Sequence, residues 1–193
     1  LVRAGGRQRA ATVEGGTLNI SLASSPAYLD PARYTGVYES QIINNVCDTV
    51  VQYSMDLTEI VPCLATEWTI SDDGATYTFT LRDDAVFQAG EYQDGRAMTA
   101  EDVKYSLERS ANESSMNRLD MLDHCNVISD TELECVLTGP NASFLTALTD
   151  AGNAIVPKEE VEAGATASAS TSWHRPLPDG AVHARPADRA HPS

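Results

Sequence analysis

The sequence predicts an α/β fold with α+β character. Two hairpin signals, a helix with a strong start signal, and the lack of strict strand–helix alternation point to it. Ser71-Asp-Asp-Gly74 separates Glu67-Trp-Thr-Ile from Ala75-Thr-Tyr-Thr-Phe-Thr-Leu81. Asp-Gly between alternating runs favours a tight hairpin, with Trp68 and Ile70 alternating on one side of the turn and Tyr77, Phe79 and Leu81 on the other. Thr99-Ala-Glu-Asp102 reads as a capping box ahead of a helix through Arg109, with Val103 and Leu107 on one face. A second hairpin joins Cys125-Asn-Val-Ile to Glu132-Leu-Glu-Cys-Val-Leu137.

The remaining elements follow in order. Thr17-Leu-Asn-Ile-Ser-Leu22 alternates and predicts a strand with Leu18, Ile20 and Leu22 on one face. Ala23 to Pro31 holds two prolines and predicts an extended loop. Ile42, Ile43, Val46 and Val50 predict a helix from Tyr38 to Val51. Asp56-Leu-Thr and Asp94-Gly95 are turns. Phe144 to Leu148 forms a short helix capped by Ser143 or Asn141. Ala154 to Pro157 is a strand-like run, and Lys158 to Glu162 starts a last helix.

The chain has 193 residues, 42% of them apolar, with 13 basic and 28 acidic side chains and a net charge of −15. This suits a globular domain and argues against nucleic acid or anionic lipid as main partner. Residues 17–162 hold 25 of the acidic and 7 of the basic residues. Residues 1–16 lack an apolar period and read as a flexible lead. Residues 163–193 hold four of the nine prolines and three of the four histidines, and Leu177 and Val182 are their only aliphatics larger than Ala. Such a stretch cannot offset its ordering entropy, so it reads as a disordered tail or as the product of a shifted reading frame.

Catalytic and metal motifs are weak. Cys47, Cys63, Cys125 and Cys135 form no CxxC pair. With Ser129-Asp130-Thr131 as a three-residue loop, Cys125 sits opposite Cys135 and Val127 opposite Leu133. That geometry permits a disulfide or two buried thiols. Cys47 and Cys63 would close a loop between a helix and the following extended segment. Asp120, Asp123 and His124 have the spacing of a helical face. A serine-hydrolase triad would have to use His124, and no Gly-x-Ser-x-Gly elbow accompanies it. Asp72-Asp73 lacks the spacing of a calcium loop and reads as a turn.

Seven segments in order resemble the N-terminal part of the bacterial extracytoplasmic solute-binding proteins of family 5, the dipeptide-, oligopeptide- and nickel-binding components of ABC importers. They are Gly16-Thr-Leu-Asn-Ile-Ser-Leu-Ala with Leu29-Asp-Pro31, Ile42 to Val51, Ile60-Val-Pro-Cys-Leu-Ala-Thr-Glu-Trp68, Ser71 to Arg82, Asp94 to Arg109, Pro140-Asn-Ala-Ser-Phe-Leu, and Ile155-Val-Pro-Lys. Asp94 to Arg109 is the most specific.

The resemblance implies a periplasmic-binding-protein-like class II fold, here partial. Residues 17–51 would begin lobe one, and residues 52–162 would form a small α+β subdomain with two hairpins. It implies a binding protein and not an enzyme, without cofactor or metal. Its partners would be a peptide or small-molecule ligand and ABC permease subunits in the membrane. It would act as a monomer, periplasmic or otherwise extracytoplasmic, lipid-anchored in the full-length form. Ligand contact is expected at Ser24, Ser25, Pro26, Ala27 and Tyr28, where the chain leaves the first strand. Cys63 replaces a usual glycine while Cys47 occurs in the same chain, which strengthens the case for a Cys47–Cys63 bridge. The connection Phe87 to Asp94 is longer than usual. A Gly-Thr-Gly-Pro-like turn is expected soon after Val156-Pro-Lys158 and is missing, which favours truncation or a frameshift. The competing classes are a stand-alone secreted interaction domain and a hydrolase.

Overall fold

The computed structural model describes residues 20–164 and the backbone of residues 173 and 174. The lead 1–16, Leu18, and nearly all of the tail 163–193 lie outside the described residues.

The elements in chain order are α1 (Val37–Val46), β1 (Val51–Tyr53), β2 (Ile60–Pro62), β3 (Ala65–Ile70), β4 (Thr76–Leu81), β5 (Val86–Phe87), α2 (Ala100–Glu113), β6 (Leu122–Ser129), β7 (Glu132–Leu137), α3 (Phe144–Ala147), a 3-10 turn (Ala151–Asn153), α4 (Lys158–Glu162) and β8 (Trp173–His174). A four-stranded antiparallel sheet, in the order β3-β4-β7-β6, is the centre of the fold. The backbone of β8 pairs with β5.

Both predicted hairpins form. Trp68 faces Phe79 and Ile70 faces Tyr77. Gly74 takes φ 69° in the turn. Asp73 accepts from Ser71 Oγ and the Ala75 amide, so its carboxylate closes the turn. In the second hairpin Cys125 faces Cys135 and Val127 faces Leu133, as the spacing predicts. The loop differs: Ser129 pairs with Glu132, and the register slips between Val127 and Ser129. A two-residue loop plus a bulge therefore replaces the three-residue loop, and the extra residue is taken up inside the strand.

The alternation of β4 and β7 sends Tyr77, Phe79, Leu81, Leu133, Cys135 and Leu137 to one buried face. Helix α2 lies against β6 and β7 and buries Val103 and Leu107 in that core. Phe144 of α3 packs tilted on Tyr77, with ring centroids 4.9 Å apart. A second, smaller cluster joins Tyr34, Ile43, Cys47, Ala151 and Ala154.

Three sequence expectations need correction. The segment Ile20–Leu22 is not a strand, and Ile20 is 74% exposed. An alternating pattern becomes a strand only where a neighbour supplies hydrogen-bond partners, and none of the described strands does so. Helix α1 ends at Val46 rather than Val51. Cys47 turns extended, and the β-branched, fully buried Val50 and Val51 lead into β1, where Val51 pairs with Pro62. Ala154 to Pro157 is buried but joins no sheet. Its amides are taken instead by Ala151 O, Asp48 O and Ser106 Oγ.

The helix start is as predicted. Thr99 and Asp102 form the reciprocal capping box, and Asp102 accepts from the Thr99 amide at 3.0 Å. Asp102 also takes both ends of Arg96, which reaches on to Glu159 of α4 at 2.7 Å and lies 4.8 Å over the Phe87 ring. One guanidinium thus joins the connection after β5 to α2 and α4.

Hydrogen bonding to Arg96 lowers the Glu159 pKa below its ordinary value. The stability it contributes is fully present above the unfolded-state value of about 4.3 and is lost as pH falls through the lower folded-state value. Glu159→Gln should therefore flatten the acid limb of a stability–pH curve below about pH 4.3. Urea melts across that range check it; an unchanged acid limb would mean the contact contributes nothing.

Candidate functional site

The expected ligand loop is held at two points. The Ala27 amide donates to Glu39 Oε1 at 2.6 Å, and Glu39 is buried on α1 beside Gly36. Two residues past Tyr28, Asp30 is buried and accepts from Arg109 Nη1 at 2.8 Å, with a second bond between Asp30 and Arg109 Nη2. Asp30 also caps its own turn. Its Oδ1 accepts from the Ala32 amide, and its carbonyl accepts from the Arg33 and Tyr34 amides. Arg33 and Arg109 share Glu113 at 3.1 and 3.2 Å. Ser24, Ser25, Ala27 and Tyr28 are exposed and Pro26 is half-buried; of these only Tyr28 lies between the two anchors.

That turn delivers Tyr34 to an open cleft of about 500 Å³, whose lining includes Ser40 and Asn44 of α1, Tyr53 of β1, Arg118, Thr149 and Asp150. Arg118 donates to Asp150 at 2.8 Å, to Ser114 Oγ at 3.0 Å and to the Tyr34 carbonyl at 2.9 Å. Its guanidinium lies 4.1 Å over the Tyr34 ring. The Tyr34 hydroxyl donates to Asp150 Oδ1 at 3.0 Å. Burial, and then the Asp150 charge, push the Tyr34 pKa up. A Cβ at Gly152 would fall inside the Arg118 side chain, so glycine is what lets the two segments approach.

This cleft is braced rather than reactive. Ser40 Oγ donates to the Val37 carbonyl, and Thr149 Oγ1 donates to the Thr146 carbonyl. A second open cleft, about 610 Å³, lies beside Cys63, Arg82 and Asp84. There Arg82 is paired with Asp84 at 2.5 Å, which holds the Asp84 carboxyl below its usual value.

None of Ser24, Ser25, Pro26, Ala27 and Tyr28 lines either cleft. The four cysteines are all buried, and Cys125 and Cys135 are brought together. Asp123 and His124 lie on β6 rather than a helix, so the predicted helical face with Asp120 does not exist. The segment runs in the sheet, and a register slip between Leu122 and His124 lets Leu122 and Cys125, three residues apart, both face the core. His124 Nδ1 lies 2.7 Å from Asp123, and its Nε2 meets Asn126 rather than a serine. Among the described residues no three His, Cys, Asp or Glu side chains are grouped to hold a metal ion. The sequence reading missed the roles of Tyr34, Arg118 and Asp150. Tyr34 and Asp150 are 116 positions apart, and no local period connects them.

Residues 59–174 match the profile of the bacterial extracellular solute-binding proteins, family 5 Middle. The dipeptide-binding protein of Escherichia coli K12 is 28% identical over 172 residues, covering 80% of this chain and 32% of the relative. The periplasmic murein peptide-binding protein MppA of the same strain is 40% identical over 88 residues, covering 46% of this chain and 15% of the relative. Among solved structures, the periplasmic binding protein DppA of Helicobacter pylori in complex with the peptide STSA superposes with TM-score 0.64 and 28% identity. The match covers 76% of this chain and 32% of that one. The fold is thus part of a two-lobed, class II periplasmic-binding-protein architecture. The chain belongs to solute-binding protein family 5, a family of binding proteins rather than enzymes, and spans about a third or less of the length of these relatives.

The anchor of the loop can be tested directly. Asp30→Asn removes the bidentate partner of Arg109 and leaves it only the half-exposed Glu113 at 3.2 Å, and should cost about 1.5–3 kcal/mol of stability. Chemical denaturation of the two proteins measures it; a loss below about 1 kcal/mol would show the pair to be screened like a surface contact.

Proposed function

We propose that this chain is part of the substrate-binding component of an ABC importer for peptides or similar small solutes. It supplies the start of lobe one and the hairpin-rich subdomain. The ordered family match over residues 59–174 carries this reading. Relatives whose names specify dipeptides and murein peptides support a peptide-like ligand. The protein works outside the cytoplasmic membrane as a monomer, lipid-anchored in its full-length form, and hands its ligand to the membrane permease. Binding closes two lobes over the ligand, and the closed shape is what the permease recognises. No bond is made or broken.

Within this reading the loop Ser24, Ser25, Pro26, Ala27 and Tyr28 contacts the ligand. Its backbone is tied down by Glu39 and, through Asp30, by Arg109, while two serine hydroxyls and the Tyr28 ring stay exposed. A backbone held at Ala27 and Asp30 reduces the ordering cost of binding. The groups that enclose the rest of the ligand belong to the second lobe. Titration calorimetry of this chain with di- and tripeptides should therefore show no micromolar binding; a micromolar isotherm would overturn the division of the site between lobes.

We further propose that the tail is read from a shifted frame. Ser172-Trp-His-Arg-Pro-Leu-Pro178 can be encoded as TCC-TGG-CAC-CGG-CCC-CTA-CCG. Moved forward by one nucleotide, that string reads Pro-Gly-Thr-Gly-Pro-Tyr, the turn expected soon after Val156-Pro-Lys158. The Trp173-His174 pair forces the first glycine codon whatever synonymous codons are used. Sequencing the coding DNA past Val161 should show this string and an open continuation in the shifted frame. Codons that spell no such turn would refute the frameshift.

A further inference from the structure

We propose that Cys125 and Cys135 are a disulfide-forming pair that bolts the edge strand β6 to β7 inside the core. The two residues face each other directly in the register. The Cys125 amide donates to Glu108 Oε1 on α2 at 2.9 Å, so it does not bond across the ladder. This marks a non-hydrogen-bonded pair, the site where facing Cα atoms approach to about 4.5 Å. That separation lies within the range a disulfide spans, about 4.4–6.8 Å. The two Sγ atoms are 2.8 Å apart. They are in contact without any movement of the strands.

The surroundings favour a bond over two functional thiols. Both residues are fully buried in the core beneath α2, with Leu107 and Leu133 in the same cluster. Among the described residues no group of three or more His, Cys, Asp or Glu side chains is placed to hold a metal ion with them. Burial raises the Cys135 thiol pKa and suppresses the thiolate. Exchange in the native state is therefore slow, and the bond forms while the hairpin is still open. One cysteine thiolate attacks the disulfide of an external oxidant, a dithiol oxidoreductase or glutathione disulfide, and expels one oxidant thiol. The second cysteine then attacks the mixed disulfide and expels the other. Two electrons and two protons leave the pair, and the oxidant's disulfide becomes two thiols. Formation in the cell rests on the extracytoplasmic location proposed above, because a reducing cytoplasm would keep the thiols open.

Refolding the reduced chain in a glutathione/glutathione-disulfide buffer tests the pair independently of location. Acid quenching, alkylation of remaining thiols and peptide mass mapping read the outcome. We expect a Cys125–Cys135 linked peptide, lighter by two hydrogens than its reduced form, in most of the folded material. In Cys125→Ala, Cys135 should become fully alkylated. If that variant does not fold, the mapping of the unaltered chain decides alone. Alkylation of both cysteines in the folded fraction, or linkage of either to Cys47 or Cys63, would overturn the proposal. Periplasmic expression then separates the two readings. A pair that stays reduced after export would overturn the bond as a feature of the exported protein, while failure of the location reading would leave the refolding result standing.

Discussion

The buried ion pair between Asp30 and Arg109 is the constraint on which the arrangement of residues 20–40 depends. Asp30 belongs to a proline-flanked loop without secondary structure, and Arg109 to the central helix. Before α1 the described chain has no strand to hold it. The bidentate contact fixes the loop against α2, and the turn that Asp30 closes places Tyr34 beside Arg118. Two charges taken out of water are tolerated because the contact is bidentate and Asp30 also accepts from the Ala32 amide; removing Asp30 leaves Arg109 only the half-exposed Glu113. That asymmetry makes such a contact a better determinant of position than of overall stability.

Helix α2 organises two sides of the molecule with two different chemistries. Its apolar side, Val103 and Leu107, closes the sheet. Its serines face the segment that runs back beneath α1. Ser106 Oγ receives the Val156 amide at 3.0 Å, Ser110 meets the buried Asn153 at 2.5 Å, and Ser114 receives Arg118. Residues 153–156 are buried without a sheet, so their polar backbone needs such acceptors. Ser106 provides one at Val156, and the Asp150, Ala151 and Asp48 carbonyls take the amides of Asn153, Ala154 and Ile155.

The sheet was legible in the sequence because it is built from neighbours. Alternation and an Asp-Gly turn specify the first hairpin, and counting across the second loop specifies Cys125 against Cys135. Thr99 and Asp102 announce their helix for the same reason: a capping box is satisfied within four residues. Legibility failed where the decisive partner lies far along the chain. Val50 and Val51 continue a helical period, yet their burial against β2 and the core makes them extended. Ile20 alternates correctly, yet no described strand receives it. Arg118 carries no local signal at all, since its partners come from positions 34, 114 and 150. The loop Ser24–Tyr28 is an expectation from resemblance, while the contacts at Ala27 and Asp30, to Glu39 and Arg109, required coordinates.

The carboxylate of Glu108 has one more consequence. Strand β6 is an outer strand, and an outer strand exposes amides that another molecule could use to extend the sheet. Glu108 occupies one of those amides, at Cys125, and the register slips on both sides of it interrupt the row. Strand β3, the opposite edge, also carries an irregularity between Ala65 and Glu67. The sheet is thereby shielded from stacking end to end with copies of itself, a safeguard against aggregation for a chain that must pass through a partly folded stage.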